Sequence, residues 1–214
     1  MISFLLGIAL AAQPAFNNGP PPSMPPPHHE STEGREAART GSARQVLHAF
    51  GACVADRNAL LADRLLRMNE SESDYRRRLS EIVRRDRDCF RQTGGRMGFQ
   101  PLAMAGAMAE HLLERDQTPL NVRLARAATG TAPAGRSASD RVAMCVARSV
   151  PDQVTALLAT TVDSAAETAA VEALMPAFGA CNQSGARVSV STAGARAMLA
   201  TAAYQSLFAT APER

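Results

Sequence analysis

Four cysteines in this chain form two pairs with the same spacing, and this regularity restricts the fold more than any other feature. Cys53 and Cys89 are 36 residues apart, as are Cys145 and Cys181. An offset of 92 residues superposes the two pairs, and in both copies Val-Ala follows the first cysteine and a Leu-Leu pair begins 12 residues after it. These matches predict an internal duplication of a unit of about 70 residues.

The N-terminus has the pattern of an export signal followed by a tether. Residues 1–12 are mainly apolar and include an A-x-A sequence suited to signal peptidase. A helix that spans a bilayer needs about 20 apolar residues, and this run is shorter. We therefore predict a signal peptide at 1–15, the alternative being a buried N-terminal helix. Residues 16–42 include six prolines within eight positions and are predicted to form a disordered tether.

All four cysteines are predicted to form disulfides, because an even number of cysteines in an exported chain indicates a disulfide framework. Four cysteines allow three connectivities. The repeat favours Cys53 with Cys89 and Cys145 with Cys181, since each copy then closes on itself. Cysteines that perform redox chemistry or bind zinc usually have the close spacing of C-x-x-C, which does not occur here. No metal site and no cofactor are predicted.

Composition favours helices along the whole folded part. Alanine supplies 42 residues and aromatic residues only 4% of the chain, which predicts an all-α fold. Apolar residues recur at helical spacing in each copy and predict about four helices per repeat. We place helical repeat 1 at 43–116, an inter-repeat linker at 117–138 and helical repeat 2 at 139–214. Pro101 is predicted to begin the last helix of repeat 1, and Pro151 the second helix of repeat 2.

Two short stretches depart from the helical pattern. Residues 97–99 and 187–191 occupy equivalent places in the two copies, and the second alternates apolar and polar side chains as a strand does. If the repeats pack about a pseudo-twofold axis, these stretches are expected to pair as a short two-stranded ribbon between them.

An arginine-rich stretch in repeat 1 raises the question of nucleic-acid binding. Residues 70–91 contain seven arginines, but they also contain six acidic residues. Many of these are spaced to pair along a helix. The chain as a whole has a formal net charge of only +3, whereas nucleic-acid binding usually needs a clearly basic surface. The stretch is therefore predicted to be a self-neutralised solvated helix, and no nucleic-acid partner is expected.

The equivalent stretch of repeat 2 has a different surface character. Residues 162–183 contain no arginine and many alanines, together with Leu174, Met175 and Phe178. One interpretation is that this helix is more buried in the monomer. The other is that these three side chains form an interaction face that meets an envelope protein or a second copy of the chain.

Candidates for catalysis are few. The recognisable nucleophile, phosphate-binding and zinc-protease motifs are absent from the sequence. Within the predicted folded part, Glu110 and His111 on the last helix of repeat 1 are the neighbouring carboxylate and imidazole that suggest acid–base chemistry. The counterpart of this pair in repeat 2 is Thr201-Ala202, so the duplicated scaffold does not require it.

Several short motifs suggest a family. The Cys-Val-Ala-Arg start, the Leu-Leu pair, the Gly-Ala-Arg-Val-Ser turn and the final Arg-x-x-Leu-Ala-x-x-x-Tyr helix of repeat 2 resemble a group of exported proteins from sphingomonad-type alphaproteobacteria. The first repeat departs from the motif at Asp56 and Leu113. The resemblance implies export and a duplicated architecture, and it supplies no catalytic residue.

These features together predict a periplasmic or secreted protein without a transmembrane span in its mature chain. The expected function is a non-enzymatic structural or protein-interaction module of the cell envelope. Two alternatives remain open, namely a small hydrolase-like enzyme that uses Glu110 and His111, and a carrier of a small hydrophobic ligand at the repeat interface.

Overall fold

The fold is built from α-helices joined by short turns. A computed structural model describes residues 42–68, 72–86, 88–89, 99–182 and 189–208. Within these ranges it contains nine helices and no strand, which confirms the all-α prediction. In chain order they are α1 (Ala43–Arg57), α2 (Ala59–Arg67), α3 (Glu72–Arg85), α4 (Pro101–Glu114), α5 (Leu120–Ala128), α6 (Ala138–Ser149), α7 (Pro151–Leu158), α8 (Ala165–Cys181) and α9 (Thr192–Phe208).

Local sequence signals account for where several helices begin. Ser42 and Gln45 form a reciprocal capping box at the start of α1, and Ser137 and Ser164 accept a backbone hydrogen bond at the starts of α6 and α8. Each serine satisfies an N–H group that has no partner within its helix. Proline stands in the first turn of α4 and of α7, where its missing N–H is not needed, so both predicted proline starts are confirmed.

The two disulfides have the predicted connectivity. Cys53 on α1 is bonded to Cys89, and Cys145 on α6 is bonded to Cys181 at the end of α8. Each bridge therefore ties the first helix of one half of the chain to the region that ends its third helix. No described cysteine is left free.

Helices α4 and α9 pack against each other and join the two halves. Helix α1 packs on α4 in the first half, and α6 packs on α9 in the second. The contacts depend on small residues. A Cβ atom on Gly106 would lie 2.6 Å from the Cα of Ala197, and one on Gly51 would lie 2.5 Å from the Cβ of Ala107. Glycine at these two positions is what allows α1, α4 and α9 to approach so closely.

The buried apolar side chains form one continuous cluster that contains residues of both halves. This differs from two separate small cores, which a chain of two repeats leads one to expect. The reason is the close approach of α4 and α9, which brings side chains such as Met104, Met108 and Leu199 into a common interior.

The two halves follow the same helix order, with α1 to α4 in one and α6 to α9 in the other. Helices α2 and α7 begin 92 residues apart, and α4 and α9 begin 91 residues apart. These separations are close to the offset between the cysteine pairs. The duplication itself, and the limits assigned to the two repeats, stay predictions.

The segment between the halves contains a helix that was not predicted. Helix α5 lies within 117–138 and packs on α6, α7 and α9. Leu124 is fully buried on its inner side. Arg148 of α6 donates hydrogen bonds to the carbonyl oxygens of Ala127 and Ala128, at 2.9 and 3.0 Å, and so completes the C-terminal end of α5.

Several predicted features fall partly or wholly outside the described residues. The predicted signal peptide and all of the tether except Ser42 are among them. Of the predicted ribbon, Phe99 and residues 189–191 are described and are not strands, while the remainder lies outside. Across the ranges that are described, no helix is long and apolar enough to cross a bilayer.

Candidate functional site

Ionised side chains meet at the junction of the two halves. Three of them are almost completely buried: Glu110 is 3% exposed, Glu167 0% and Arg196 5%. Arg44 and His48 of α1 complete the group from its outer side. We call these five residues the charge cluster. Burying charge is costly unless each charge is paired, so the partners of every member matter.

Glu110 and Arg196 form the centre of the charge cluster. The Nε of Arg196 lies 3.0 Å from both carboxylate oxygens of Glu110, and one terminal nitrogen lies 2.7 Å from Oε2. Glu110 is on α4 and Arg196 is in the second turn of α9, so the pair joins the two halves directly. A guanidinium with two donors on one carboxylate is among the stronger charge-assisted contacts in proteins.

The remaining donors of Arg196 are used by the end of α7. They reach the carbonyl oxygens of Leu157, Leu158 and Thr160 at 3.3, 3.0 and 3.1 Å. Leu157 and Leu158 are the last two residues of α7, where carbonyl oxygens lack the usual intrahelical donor, and the Leu157 oxygen also accepts the backbone N–H of Thr160 at 3.1 Å. Arg196 is therefore both the partner of Glu110 and the C-terminal cap of α7.

Glu167 is held from three directions at the start of α8. It lies 2.7 Å from a terminal nitrogen of Arg44 and 3.5 Å from one of Arg196, and its Oε2 accepts the backbone N–H of Asp163 at 2.8 Å. Asp163 has a φ of 62°, a left-handed conformation that aspartate tolerates better than most residues. This turn is what presents its N–H to Glu167.

Arg44 joins the start of α1 to the second half. It contacts Asp163 at 3.0 Å as well as Glu167. Burial alone would lower the pKa of Arg44, but these two carboxylates raise it above its ordinary value. Hydrogen bonds from Ser42 and Arg44 lower the pKa of Asp163. Both groups are therefore ionised throughout the neutral range.

His48 is the only imidazole of the charge cluster. Its Nε2 lies 3.0 Å from Oε2 of Glu110, and its side chain is 29% exposed. It stands beside a cavity of about 60 Å³ that is also lined by Arg44, Glu110 and Arg196 and by alanines of α4 and α9. The volume suits a few water molecules.

The side chains of Glu110 and His111, considered above as an alternative acid–base pair, contact different partners. Glu110 faces the interior, whereas His111 is directed towards Asp56 of α1, with Nε2 at 3.5 Å from its carboxylate. Consecutive helical residues point in directions about 100° apart, so neighbours in sequence do not face each other. The imidazole that does meet Glu110 is that of His48.

The predicted interaction face is largely part of the core. Leu174 and Phe178 are fully buried, and Met175 is half-buried and packs against the same apolar cluster. The reason is that α8 packs on α6, α7 and α9 and turns these side chains inward. Of the two interpretations of this helix, burial in the monomer is the one that the structure favours.

Tyr204 makes a second link between the halves. Its hydroxyl donates to Asp63 of α2 at 2.5 Å, and Gln205 donates to the carbonyl of Leu66 at 3.0 Å. Burial, together with the hydrogen bond to Asp63, raises the pKa of Tyr204. The phenol therefore stays protonated and keeps donating at neutral pH.

The side chains of the charge cluster are largely occupied by contacts with one another and with the backbone. Each buried acidic or basic residue in the described part of the chain has an ion-pair partner, and this includes Asp86, which lies 2.9 Å from Arg57. Nowhere in that part do three or more His, Cys, Asp or Glu side chains come together as a metal site would require. The arrangement can bind helices together and hold one imidazole beside a carboxylate.

Comparison with known proteins adds nothing further, since no protein-family model, curated protein or solved structure matches this chain.

Proposed function

We propose that this chain is an exported, non-enzymatic module that serves a structural or protein-interaction role in the cell envelope. Export is supported by the two disulfides, which persist in oxidising compartments such as the periplasm. It also agrees with the signal peptide predicted from the sequence. A non-enzymatic role is supported by the charge cluster, because its side chains pair with one another and with backbone groups.

The observation that carries the interaction role is the outward surface of α8. Ala166, Ala169, Ala173 and Ala180 are exposed along it, and they share one side of the helix because their spacing follows the helical repeat. We call these four residues the α8 outer face. Alanine has almost no side-chain entropy to lose on contact, so such a face can be covered by a partner at low entropic cost.

The equivalent helix of the first half, α3, has a charged outer surface instead of an alanine-rich one. Exposed arginines cover α3, among them Arg77, which lies 3.2 Å from Asp74 and 3.3 Å from Glu81. Long hydrated side chains of this kind favour contact with solvent. The contrast supports α8, rather than α3, as the surface that meets another envelope protein or a second copy of the chain.

A site-specific crosslinking experiment in cells tests this proposal. A photoreactive residue at Ala169 is expected to give a discrete adduct, whereas one at Ala156, an exposed alanine of α7, is not. The substitution Ala173→Arg should abolish the adduct without altering the urea midpoint, because an exposed position leaves the core intact. The mass of the adduct distinguishes a second copy from another protein.

Equal crosslinking at Ala169 and Ala156, or an adduct that persists in the Ala173→Arg variant, would contradict the interaction role. The other two candidate functions find less support. The cavity at the repeat interface has a volume of only about 60 Å³, which is small for a hydrophobic ligand. The side chains of Glu110 and His111 contact different partners.

A further inference from the structure

A larger cavity lies at a distance from both the charge cluster and the α8 outer face. It has a volume of about 430 Å³ and lies between α5 and the last turn of α9. One side is formed by charged and polar groups, and the other by apolar side chains. The residues that line it are Asp116, Thr118, Arg123, Arg126, Ala127, Thr129, Gly130, Leu207 and Phe208.

Arg126 is the cation of this cavity that has no partner among the described residues. Its side chain is exposed, and none of the described residues accepts a hydrogen bond from it or forms an ion pair with it. Arg123, by contrast, donates to the carbonyl of Leu113 at 2.6 Å and lies 3.5 Å from Asp116. One guanidinium is thus fixed in the wall, and the other remains available at the opening.

Asp116, the one acid among the described residues that line the cavity, is already satisfied. Asp116 accepts the backbone N–H of Thr118 at 2.9 Å, and this bond, with Arg123 nearby, lowers the pKa of Asp116. The carbonyls at the end of α5 are covered by Arg148. Two arginines facing one acid leave the lining with a net positive charge.

The apolar side is formed by Leu207 and Phe208, which are half-buried. Phe208 is held in place, because its ring centre lies 4.5 Å from that of Tyr204 and 4.6 Å from the guanidinium carbon of Arg67. Cation–π and aromatic contacts of this kind orient a ring. The cavity therefore presents a fixed apolar wall beside an available cation.

We infer that this cavity binds a small amphipathic carboxylate, with the carboxylate on Arg126 and its apolar part against Leu207 and Phe208. A volume of about 430 Å³ holds on the order of ten non-hydrogen atoms, since each water-sized group occupies roughly 30 Å³ in the liquid. A medium-chain fatty acid and the C-terminal residue of a peptide both have this size and this chemistry.

Binding to the oxidised full-length protein can be followed by NMR with three probes. Octanoate represents a fatty acid, N-acetyl-leucine represents a peptide C-terminus, and octanamide is the uncharged control. We expect at least one carboxylate to shift resonances of α5 and of the end of α9, and to bind about tenfold more tightly than octanamide, because a charge-assisted hydrogen bond is lost in the amide. The tighter of the two carboxylates identifies the source of the ligand.

The Arg126→Gln variant provides the decisive comparison. It should weaken carboxylate binding by about tenfold and remove the preference over octanamide, whereas Arg64→Gln, at an exposed arginine of α2, should change neither. Because Arg126 is exposed, the variant is expected to fold normally. The inference is overturned if neither carboxylate shifts these resonances, or if Arg126→Gln binds the carboxylates as tightly as the unmodified protein.

Discussion

Replacing Glu110 with alanine is expected to lower the free energy of unfolding by about 3 to 5 kcal/mol. The substitution removes both carboxylate oxygens that accept hydrogen bonds from Arg196. The guanidinium, only 6% exposed at its side chain, would then stay buried with Glu167 at 3.5 Å as its nearest carboxylate. Unfolding in urea, followed by circular dichroism, measures the loss.

Two further variants show whether the loss comes from the ion pair. Glu114→Ala removes an exposed carboxylate one turn further along α4 and should change stability by no more than about 0.5 kcal/mol. Replacing Glu110 and Arg196 together by methionine removes the unpaired charge and should recover part of the loss, but not all of it, since Arg196 also donates to the carbonyl oxygens at the end of α7. If Glu110→Ala costs no more than Glu114→Ala, the charge cluster does not stabilise the fold.

Removal of either disulfide is expected to cost about 4 kcal/mol, the value that loop closure gives for a bridge spanning 36 residues. Because the two loops are equal in length, the variants Cys53→Ser with Cys89→Ser and Cys145→Ser with Cys181→Ser should lose similar amounts. Natural domains of this size have a total stability of about 5 to 15 kcal/mol. The chain that lacks both bridges should therefore be largely unfolded at physiological temperature.

The urea midpoints of the oxidised protein and of the two double-serine variants measure this effect. Reductant should lower the midpoint of the oxidised protein and of each variant, and it should have no effect once all four cysteines are replaced. A midpoint of the oxidised protein that reductant leaves unchanged would show that the bridges contribute nothing to stability.

Features of this fold that depend on local sequence could be predicted. The cysteine spacing indicated both disulfides, because two cysteine pairs with equal spacing favour one bridge within each half. Pro101 and Pro151 marked helix starts for a reason that lies within one turn of helix. Pairing of arginines with acids along α3 was also expected from their spacing, and Arg77 does pair with Asp74 and Glu81, which are three and four residues away.

Features that depend on contacts between distant segments could not be predicted in the same way. Glu110 and Arg196 are 86 residues apart, and nothing in the neighbourhood of either residue identifies the other. The common core likewise depends on the fit of Gly106 against Ala197. Helix α5 was missed because its short sequence is bounded by proline and glycine, which are typical of a linker.

Part of the candidate site could have been found from pattern alone. Ser164 and Glu167 have the spacing of a capping box, and Ser164 does accept a hydrogen bond from the N–H of Glu167. That pattern predicts the start of α8, but it does not predict that Glu167 is fully buried or that Arg44 reaches it. His48 lies among apolar residues of α1. Its position on the inner side of that helix was the signal that could have identified it as a member of the charge cluster.

The central claim is that the common core and the charge cluster together make the two halves a single cooperative unit. Native-state hydrogen exchange of the oxidised protein tests it most directly, because it reports the opening free energy of each helix separately. The slowest amides of α4 and α9 are predicted to exchange with the same free energy, and Glu110→Ala should lower both by the same amount. The claim is contradicted if the two helices open with different free energies, or if the substitution lowers that of α4 alone.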